Sequence, residues 1–386
     1  MPSPSTPRPL ALFCAVLLSL SHLAQALAQP ATACDFCAQA STLVEQFELS
    51  EGTTPVRDRS SWAPPRKIVT MRGDPWAPLL RTAAPDAEIV GVDSPEAAVA
   101  ALPGADVYVG LCTAAIVEAG TTLKWIHLIS AGADACASQP GVAEGAILLT
   151  SSQGLHSPAV ADHALALLLT LARRINDYGA QQRGGRFDQP WANAGVVLDS
   201  GIPELDGKHL LVVGLGGIGT EIARRGSAFG MHVRGTRNSS REGPEFVEYV
   251  GLADETSELV GWADFVVDAL PLTDQTRGLF DETLFATMKP GAFFINIGRG
   301  ETVVTGDLVD ALESGKLSGA GLDVTDPEPL PPGHRLWSMP NVVLTPHMAA
   351  ASDQLERRLI TLARENLRRY AAGERLISVV APRRGY

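Results

Sequence analysis

A glycine cluster, and a guanidinium, a carboxylate and an imidazole that each follow a short apolar run, are the residues of this chain whose types and spacing could do chemistry. Leu211, Val212 and Val213 lead into Gly214-Leu215-Gly216-Gly217-Ile218-Gly219, a G-x-G-x-x-G pattern set between a strand-like run and a helix-like stretch over 220–229. In that context each glycine has a physical reason. Gly214 permits a tight turn, Gly216 lets the backbone approach a pyrophosphate, and Gly219 lets helix and strand pack closely, while the helix start offers free N–H groups and positive dipole to phosphates. A turn that is merely glycine-rich is the alternative. The three other segments are Ile295-Asn296-Ile297-Gly298-Arg299-Gly300, then Gly321-Leu322-Asp323-Val324-Thr325-Asp326-Pro327-Glu328-Pro329, then Leu344-Thr345-Pro346-His347. Each ends a strand on the edge that carries the glycine turn, which is where open α/β sheets bind ligands. An imidazole titrates near neutrality and can give or take a proton. A carboxylate bonded to it fixes its tautomer and favours its protonated form. A guanidinium holds a carboxylate with a rigid charged fork, at about 1.5–3 kcal/mol per charge-assisted contact. Alone, each would be an ordinary solvated charge or a satisfied histidine, which is how His127, His156, His163, His209, His232 and His334 read.

Some 20 residues beyond the glycine turn, where a site for NAD carries an acid for the ribose hydroxyls, the next strand ends Gly235-Thr236-Arg237-Asn238 with no acid. Arg237, helped by Thr236, Asn238, Ser239 or Arg241, could instead pair bidentately with a 2′-phosphate, so NADP(H) is the expected cofactor and NAD(H) the second choice. An exposed arginine that excludes neither cofactor is the competing reading.

Two series of short apolar runs, separated by helix-like stretches, must position these groups. The first covers 68–71, 87–92, 105–111, 123–129 and 146–150, and the second runs from 209 through 232–235, 263–270, 292–297, 320–324 and 342–344, a six-strand series. Strands alternating with helices imply parallel, doubly wound sheets. The stretch 157–174 opens with Ser157 as cap and Pro158 in the first turn, then runs apolar on most faces, so a domain junction or a dimer contact is expected to bury it. The tail over 349–372 has helical period and is expected to cross back onto the first domain.

The totals bound the answer further. A chain of 386 residues exceeds the size at which one core keeps growing, so two domains are expected. With 45% hydrophobic and 19% charged residues, 37 Gly and 27 Pro, it is a turn-rich globular protein. A formal net charge of −12 offers nothing to a nucleic-acid backbone. Arg8, the apolar run 10–20 and Ala26-Leu27-Ala28 before Gln29 read as a secretory signal peptide over 1–28, with an uncleaved anchor as the alternative, and no later segment is long enough to span a bilayer. An exported location follows as an expectation. Residues 29–65, rich in Ser, Thr, Pro and charge, read as a linker or arm. Cys34-Asp35-Phe36-Cys37 is a C-x-x-C with no second pair and no following His, so a local disulfide or idle thiols are expected and no metal site; Cys112 reads as a small core residue.

With these motifs in view, residues 66–380 closely resemble the D-isomer-specific 2-hydroxyacid dehydrogenases, which include glyoxylate and hydroxypyruvate reductases. The resemblance is carried by LDGKHLLVVGLGGIG, LPLTDQTRGLF, NIGRG, GAGLDVTDPEPLP, PNVVLTPH, LKWIHLISAGAD and SQGLHSPAVADHALALLL. It implies an α/β fold of two doubly wound parallel-sheet domains, a Rossmann dinucleotide-binding domain (156–347) inserted in a flavodoxin-like substrate domain (66–155), with 348–386 returning to the latter. It implies hydride transfer between NAD(P)(H) and a short D-2-hydroxy acid or 2-oxo acid, with Arg299, Glu328 and His347 as the catalytic residues. Gly214, Gly216, Gly217, Ile218, Gly219, Arg237, Leu270, Ile297 and Asp323 fall on the cofactor side, and Ser130, Ala131, Gly132 and Ala133 would offer backbone N–H groups to the substrate carboxylate. A homodimer is implied too. Relatives are typically cytosolic, so the N-terminal signal departs from the pattern, with a cytoplasmic location as the family-based alternative. Asp162 stands where many relatives have Glu. A dinucleotide-sensing, corepressor-like binding module without turnover is the second functional expectation.

Overall fold

The two series of apolar runs fold as two separate parallel sheets in the computed structural model, which describes residues 33–187, 201–238 and 240–381. The segment read as a signal peptide and Ser239 lie outside the described residues, as does the side chain of Cys34. After a first helix, α1 (Ala33–Gln46), strands β1 (Lys67–Met71), β2 (Glu88–Val92), β3 (Val107–Gly110), β4 (Trp125–Leu128) and β5 (Leu148–Thr150) alternate with α2 (Gly73–Arg81), α3 (Pro95–Ala101), α4 (Ala114–Ala119) and α5 (Asp134–Ala137). Their spatial order, β2-β1-β3-β4-β5 with every pair parallel, is the flavodoxin-like doubly wound arrangement.

Two helices, α6 (Ser157–Ala172) and α7 (Ile175–Arg183), lead to the second sheet. It comprises β6 (His209–Val213), α8 (Gly217–Ala228), β7 (His232–Arg237), β8 (Tyr249–Leu252), α9 (Thr256–Trp262), β9 (Phe265–Asp268), α10 (Glu282–Thr287), β10 (Ala292–Asn296), α11 (Thr305–Glu313), β11 (Leu317–Leu322) and β12 (Val342–Leu344). The order is β12-β11-β10-β9-β6-β7-β8, again parallel throughout, so the sheet has seven strands where six were expected. The missed strand, Tyr249-Val250-Gly251-Leu252, is short and broken by glycine. The chain reverses direction across the sheet between β6 and β9, and a ligand crevice opens at such a switch point. Both faces are covered: Leu210 and Val212 pack under α6 and α8, whereas Leu211 and Val213 pack with Phe285, Phe294 and Leu308 on the other side. That two-sided burial is why the strands read as unbroken apolar runs.

The α6 helix is buried within this one chain. Val160, Ala161, Ala164, Leu165, Leu167 and Leu168 join the core beneath α8, and Asp162 pairs with Arg225 of α8 at 2.7 Å, so neither a domain junction nor a dimer contact is needed to cover most of its apolar surface. Ser157 does not cap it. His156 holds the cap position, and Ser157 is the first helical residue, with a buried hydroxyl that has no hydrogen-bond partner among the described residues.

The final helix, α12 (Leu355–Ala372), packs Leu359, Leu362, Ala363, Leu367 and Tyr370 into the core of the first sheet with Ile68, Trp76 and Trp125. The stretch read as a linker is folded from residue 33 onward: α1 lies against α12, Leu43, Leu49 and Val56 enter the same core, and Arg369 reaches Glu51. Cys112 is buried as expected, but it is bonded to Cys136, with Cα atoms 5.5 Å apart. Cys37 is an exposed free thiol.

Candidate active site

The glycine turn sits where β6 meets α8, and α8 starts at Gly217, inside the turn and earlier than expected. Gly214 has φ 101°, and a Cβ there would lie 3.0 Å from the Ala269 carbonyl oxygen, so only glycine fits. A Cβ on Gly219 would lie 2.0 Å from the Gly214 oxygen, which is the close helix–strand approach in numbers. At Gly216 nothing lies within 4 Å. The protein's own packing does not demand a glycine there, and the open space suits a pyrophosphate laid on the free N–H groups of the first turn of α8. A cofactor pyrophosphate therefore fits these residues.

Arg237 closes β7, and its Nε is buried with no hydrogen-bond partner among the described residues. Thr236 is turned inward, where its hydroxyl accepts the Gly214 N–H at 3.2 Å, so it supports the turn. Arg241 is held by Tyr249 and Glu255. The hydrogen bonds from Arg241 pull the Glu255 carboxyl down to about 2. Of the helpers named for a 2′-phosphate, Arg241 is thus already engaged.

His347 and Glu328 are brought together from two separate strand ends: Nδ1 and Oε1 lie 2.7 Å apart, with both side chains about half exposed. An ionised carboxylate only accepts, so Nδ1 carries the proton and Nε2 is left for chemistry. His347 has φ 52°, a left-handed backbone rare outside glycine, and Asp323 holds it there. The Asp323 main-chain oxygen accepts the His347 N–H at 2.8 Å, and its carboxylate accepts the N–H groups of Met348 and Ala349 and the Thr345 hydroxyl. His163 completes the bracket, its Nε2 lying 2.9 Å from Thr345 Oγ1. Because that hydroxyl gives its proton to Asp323, His163 must be the donor. Asp323, expected on the cofactor side, is 2% exposed with both carboxylate oxygens already bonded within the protein.

Arg299 follows β10 and reaches the first sheet. Its Nη2 lies 3.0 Å from Asp134 Oδ1 at the start of α5, and its Nη1 donates to the Gly298 carbonyl at 2.8 Å. A Cβ on Gly132 would fall 1.8 Å from Nη2, so the guanidinium lies directly on the loop of Ser130, Ala131, Gly132 and Ala133. The Ser130 hydroxyl donates to the Gly132 carbonyl at 2.8 Å, and the N–H groups of Ala131, Gly132 and Ala133 have no acceptor among the described residues. Asp134 is a residue the sequence reading passed over, although it is the acid that ends the SAGAD motif. The disulfide from Cys136 to Cys112 ties down the helix that follows this loop. The backbone N–H groups of Leu270 and Ile297 are bonded to Asp268, so only their side chains and carbonyls remain for a cofactor. No cluster of metal-ligating side chains occurs among the described residues.

Residues 165–349 match the family described as D-isomer specific 2-hydroxyacid dehydrogenase, NAD binding domain. The chain is 36% identical over 261 residues to a glyoxylate reductase of Thermofilum pendens, a match that spans 68% of this chain and 76% of that protein. It is 36% identical over 264 residues to the glyoxylate reductase/hydroxypyruvate reductase of Mus musculus, over 67% of this chain and 77% of the other. Among solved structures, an NADPH-dependent glyoxylate/hydroxypyruvate reductase from Sinorhizobium meliloti in complex with NADP and sulfate superposes with a TM-score of 0.70 at 29% identity, covering 83% of this chain and all of that one. A D-isomer specific 2-hydroxyacid dehydrogenase from Xanthobacter autotrophicus Py2 in complex with NADPH and MES gives 0.70 at 28% identity, covering 84% of this chain and all of that one. Fold, motif order and these relatives agree, and the chain belongs to the D-isomer specific 2-hydroxyacid dehydrogenase family.

Proposed function

We propose that this NAD(P)-dependent 2-hydroxyacid dehydrogenase prefers NADP(H) and interconverts a short 2-oxo acid with its D-2-hydroxy acid, with His347 as the proton donor and acceptor. The observation that carries the reading is the 2.7 Å pair of His347 and Glu328 on the sheet edge that bears the glycine turn. The bound nicotinamide supplies or receives the hydride. Arg299, lying on Gly132, holds the substrate carboxylate and carbonyl oxygen together with the N–H groups of Ala131, Gly132 and Ala133. Asp134 then acts as the counter-charge that keeps the guanidinium on this loop. In the reductive direction Nε2 of His347 gives its proton to the carbonyl oxygen as the carbon is reduced, and Glu328 steadies the imidazole through Nδ1. The Arg237 Nε, which has no hydrogen-bond partner among the described residues, and the absence of an acid at the end of β7 support a 2′-phosphate contact. The relatives named for glyoxylate and hydroxypyruvate make these the first substrates to try. A panel of 2-oxo acids run with NADPH and with NADH tests the proposal: turnover with NADPH supports it, and binding of NADPH without turnover on any of them overturns it.

The protein is further proposed to be exported and to act as a homodimer. Export is supported by the apolar run and small-residue site before Gln29, and by a disulfide, a bond that persists mainly in oxidising compartments. N-terminal sequencing of the mature chain from fractionated cells decides it. No helix among the described residues is long and apolar enough to cross a membrane. Light scattering tests the dimer.

A further inference from the structure

Behind Arg299 lies a carboxyl group that the chemistry above does not use. Asp268 ends β9 and is fully buried. Its Oδ1 accepts the Leu270 N–H at 3.0 Å, and its Oδ2 is 2.5 Å from the Thr302 hydroxyl. That hydroxyl also lies 2.7 Å from the main-chain oxygen of Arg299, which the Asn296 amide reaches as well, at 2.9 Å. A hydroxyl has one proton and cannot give it to both neighbours.

We propose that Asp268 is a positioning residue for Arg299, and that the protonation of its carboxyl sets whether the Arg299 carbonyl is held by three donors or by two. With Asp268 protonated, its O–H donates to Thr302 and the Thr302 hydroxyl proton goes to the Arg299 oxygen, which then has three donors, this hydroxyl, the Asn296 amide and the Thr302 N–H at 3.3 Å. With Asp268 ionised, the Thr302 hydroxyl proton turns to the carboxylate and the Arg299 oxygen keeps the Asn296 amide and the Thr302 N–H. Burial pushes the Asp268 carboxyl up to about 7 against the Thr302 and Leu270 hydrogen bonds, so the exchange falls in the working range. Among the described residues no charged group bears on the Asp268 carboxyl. Asp268 makes no ion pair among the described residues; Arg299 directs its guanidinium to Asp134, Glu301 is paired with Arg277, the Asp323 carboxylate beyond β10 is bonded under His347, and Asp264, His209 and Lys289 cluster at the opposite end of β6 and β9.

The inference rests on the reading of Arg299 as the substrate-holding residue, and its test separates the two. In the full-length protein, the infrared band of a protonated carboxyl should be present at pH 6, fade as pH rises through neutrality, and be missing from Asp268→Asn. In NADPH-dependent reduction of glyoxylate, the wild-type KM for glyoxylate should rise about 3- to 10-fold across that step, the worth of one hydrogen bond, with the KM for NADPH unmoved. Asp268→Asn, whose amide donates to Thr302 at every pH, should hold the low-pH KM throughout; because the two proteins differ only at this side chain, the ratio of their KM values isolates Asp268. Thr302→Val should show the raised KM at all pH values, and Thr302→Ser should restore the wild-type profile, which keeps the test decisive if the Asp268 variant does not fold. A KM ratio flat with pH in wild type, Asp268→Asn and Thr302→Val alike, or no carboxyl band that depends on Asp268, overturns the proposal. Failure of the Arg299 reading shows itself differently, as an Arg299→Ala protein whose KM for glyoxylate is unchanged while the infrared titration persists.

Discussion

His347 adopts a left-handed backbone that a non-glycine residue takes up only under constraint, and Asp323 supplies the constraint with both carboxylate oxygens. The imidazole is thereby aimed before any substrate arrives. His347→Ala should lower kcat for 2-oxo acid reduction by about 10² to 10⁴ while NADPH binding, followed by fluorescence titration, stays at the wild-type level. Retained turnover would remove His347 from the mechanism. For cofactor choice, Arg237→Asp should move the NADPH to NADH ratio of kcat/KM toward NADH by at least about tenfold, or 1.4 kcal/mol, because a bidentate cation is replaced by an acid that suits a free ribose. An unchanged ratio would show that Arg237 touches neither cofactor. These residues were legible beforehand because each stands in a contiguous motif at a strand end. Asp268 and Thr302 were not: they are 34 positions apart, and nothing local marks either one as part of a buried chain of hydrogen bonds.

The loop of residues 130–133 shows how elements share one task. Arg299 presses on it from the second sheet, and the Cys112–Cys136 bond fastens α5 immediately after it to the end of β3. Closing a loop with a sequence separation of 24 restricts the unfolded chain by about 3 kcal/mol. Cys112→Ser, or reduction of the bond, should lower the stability of the protein by that order and raise the KM for the 2-oxo acid, since the N–H groups proposed to receive its carboxylate lose their fixed direction. A KM that ignores the bond would restrict the disulfide to stability alone. Cysteine pairing cannot be deduced from spacing, which is why Cys112 read only as a core residue. The α1 helix was missed for another reason: averaging composition over 29–65 hid Phe36, Ala40 and Leu43, whose spacing puts them on one face of a helix. Long parallel strands were readable because burial on both faces makes them apolar throughout, whereas β8, short and broken by glycine, carried too little of that signal.

Each domain carries a buried ionisable group, and the two pull the stability of the whole molecule in opposite directions with pH. In the first, His127 is fully buried between Trp125 and Thr150, its Nε2 lacks a partner among the described residues, and burial pushes it down to about 3. The unfolded chain therefore binds a proton that the folded chain refuses between about pH 6.5 and 3, and stability falls through that window as pH falls, by roughly 1.4 kcal/mol per pH unit at most. In the second, Asp268 has its carboxyl raised to about 7, so the folded chain keeps a proton that the unfolded chain gives up above about pH 4. Its contribution is present in full below that point and is lost as pH rises to 7. Over the shared range the two slopes offset each other, and removing one group should tilt the profile toward the other. Thermal unfolding midpoints measured from pH 4.5 to 8 should rise more steeply with pH in Asp268→Asn than in wild type. In His127→Gln, where the amide can still bond the Thr150 hydroxyl, they should instead rise less steeply than in wild type, since buried His156, pushed down to about 4, still opposes Asp268 over the same range. Two variants whose profiles run parallel to the wild type would mean that neither group holds the buried charge state assigned to it.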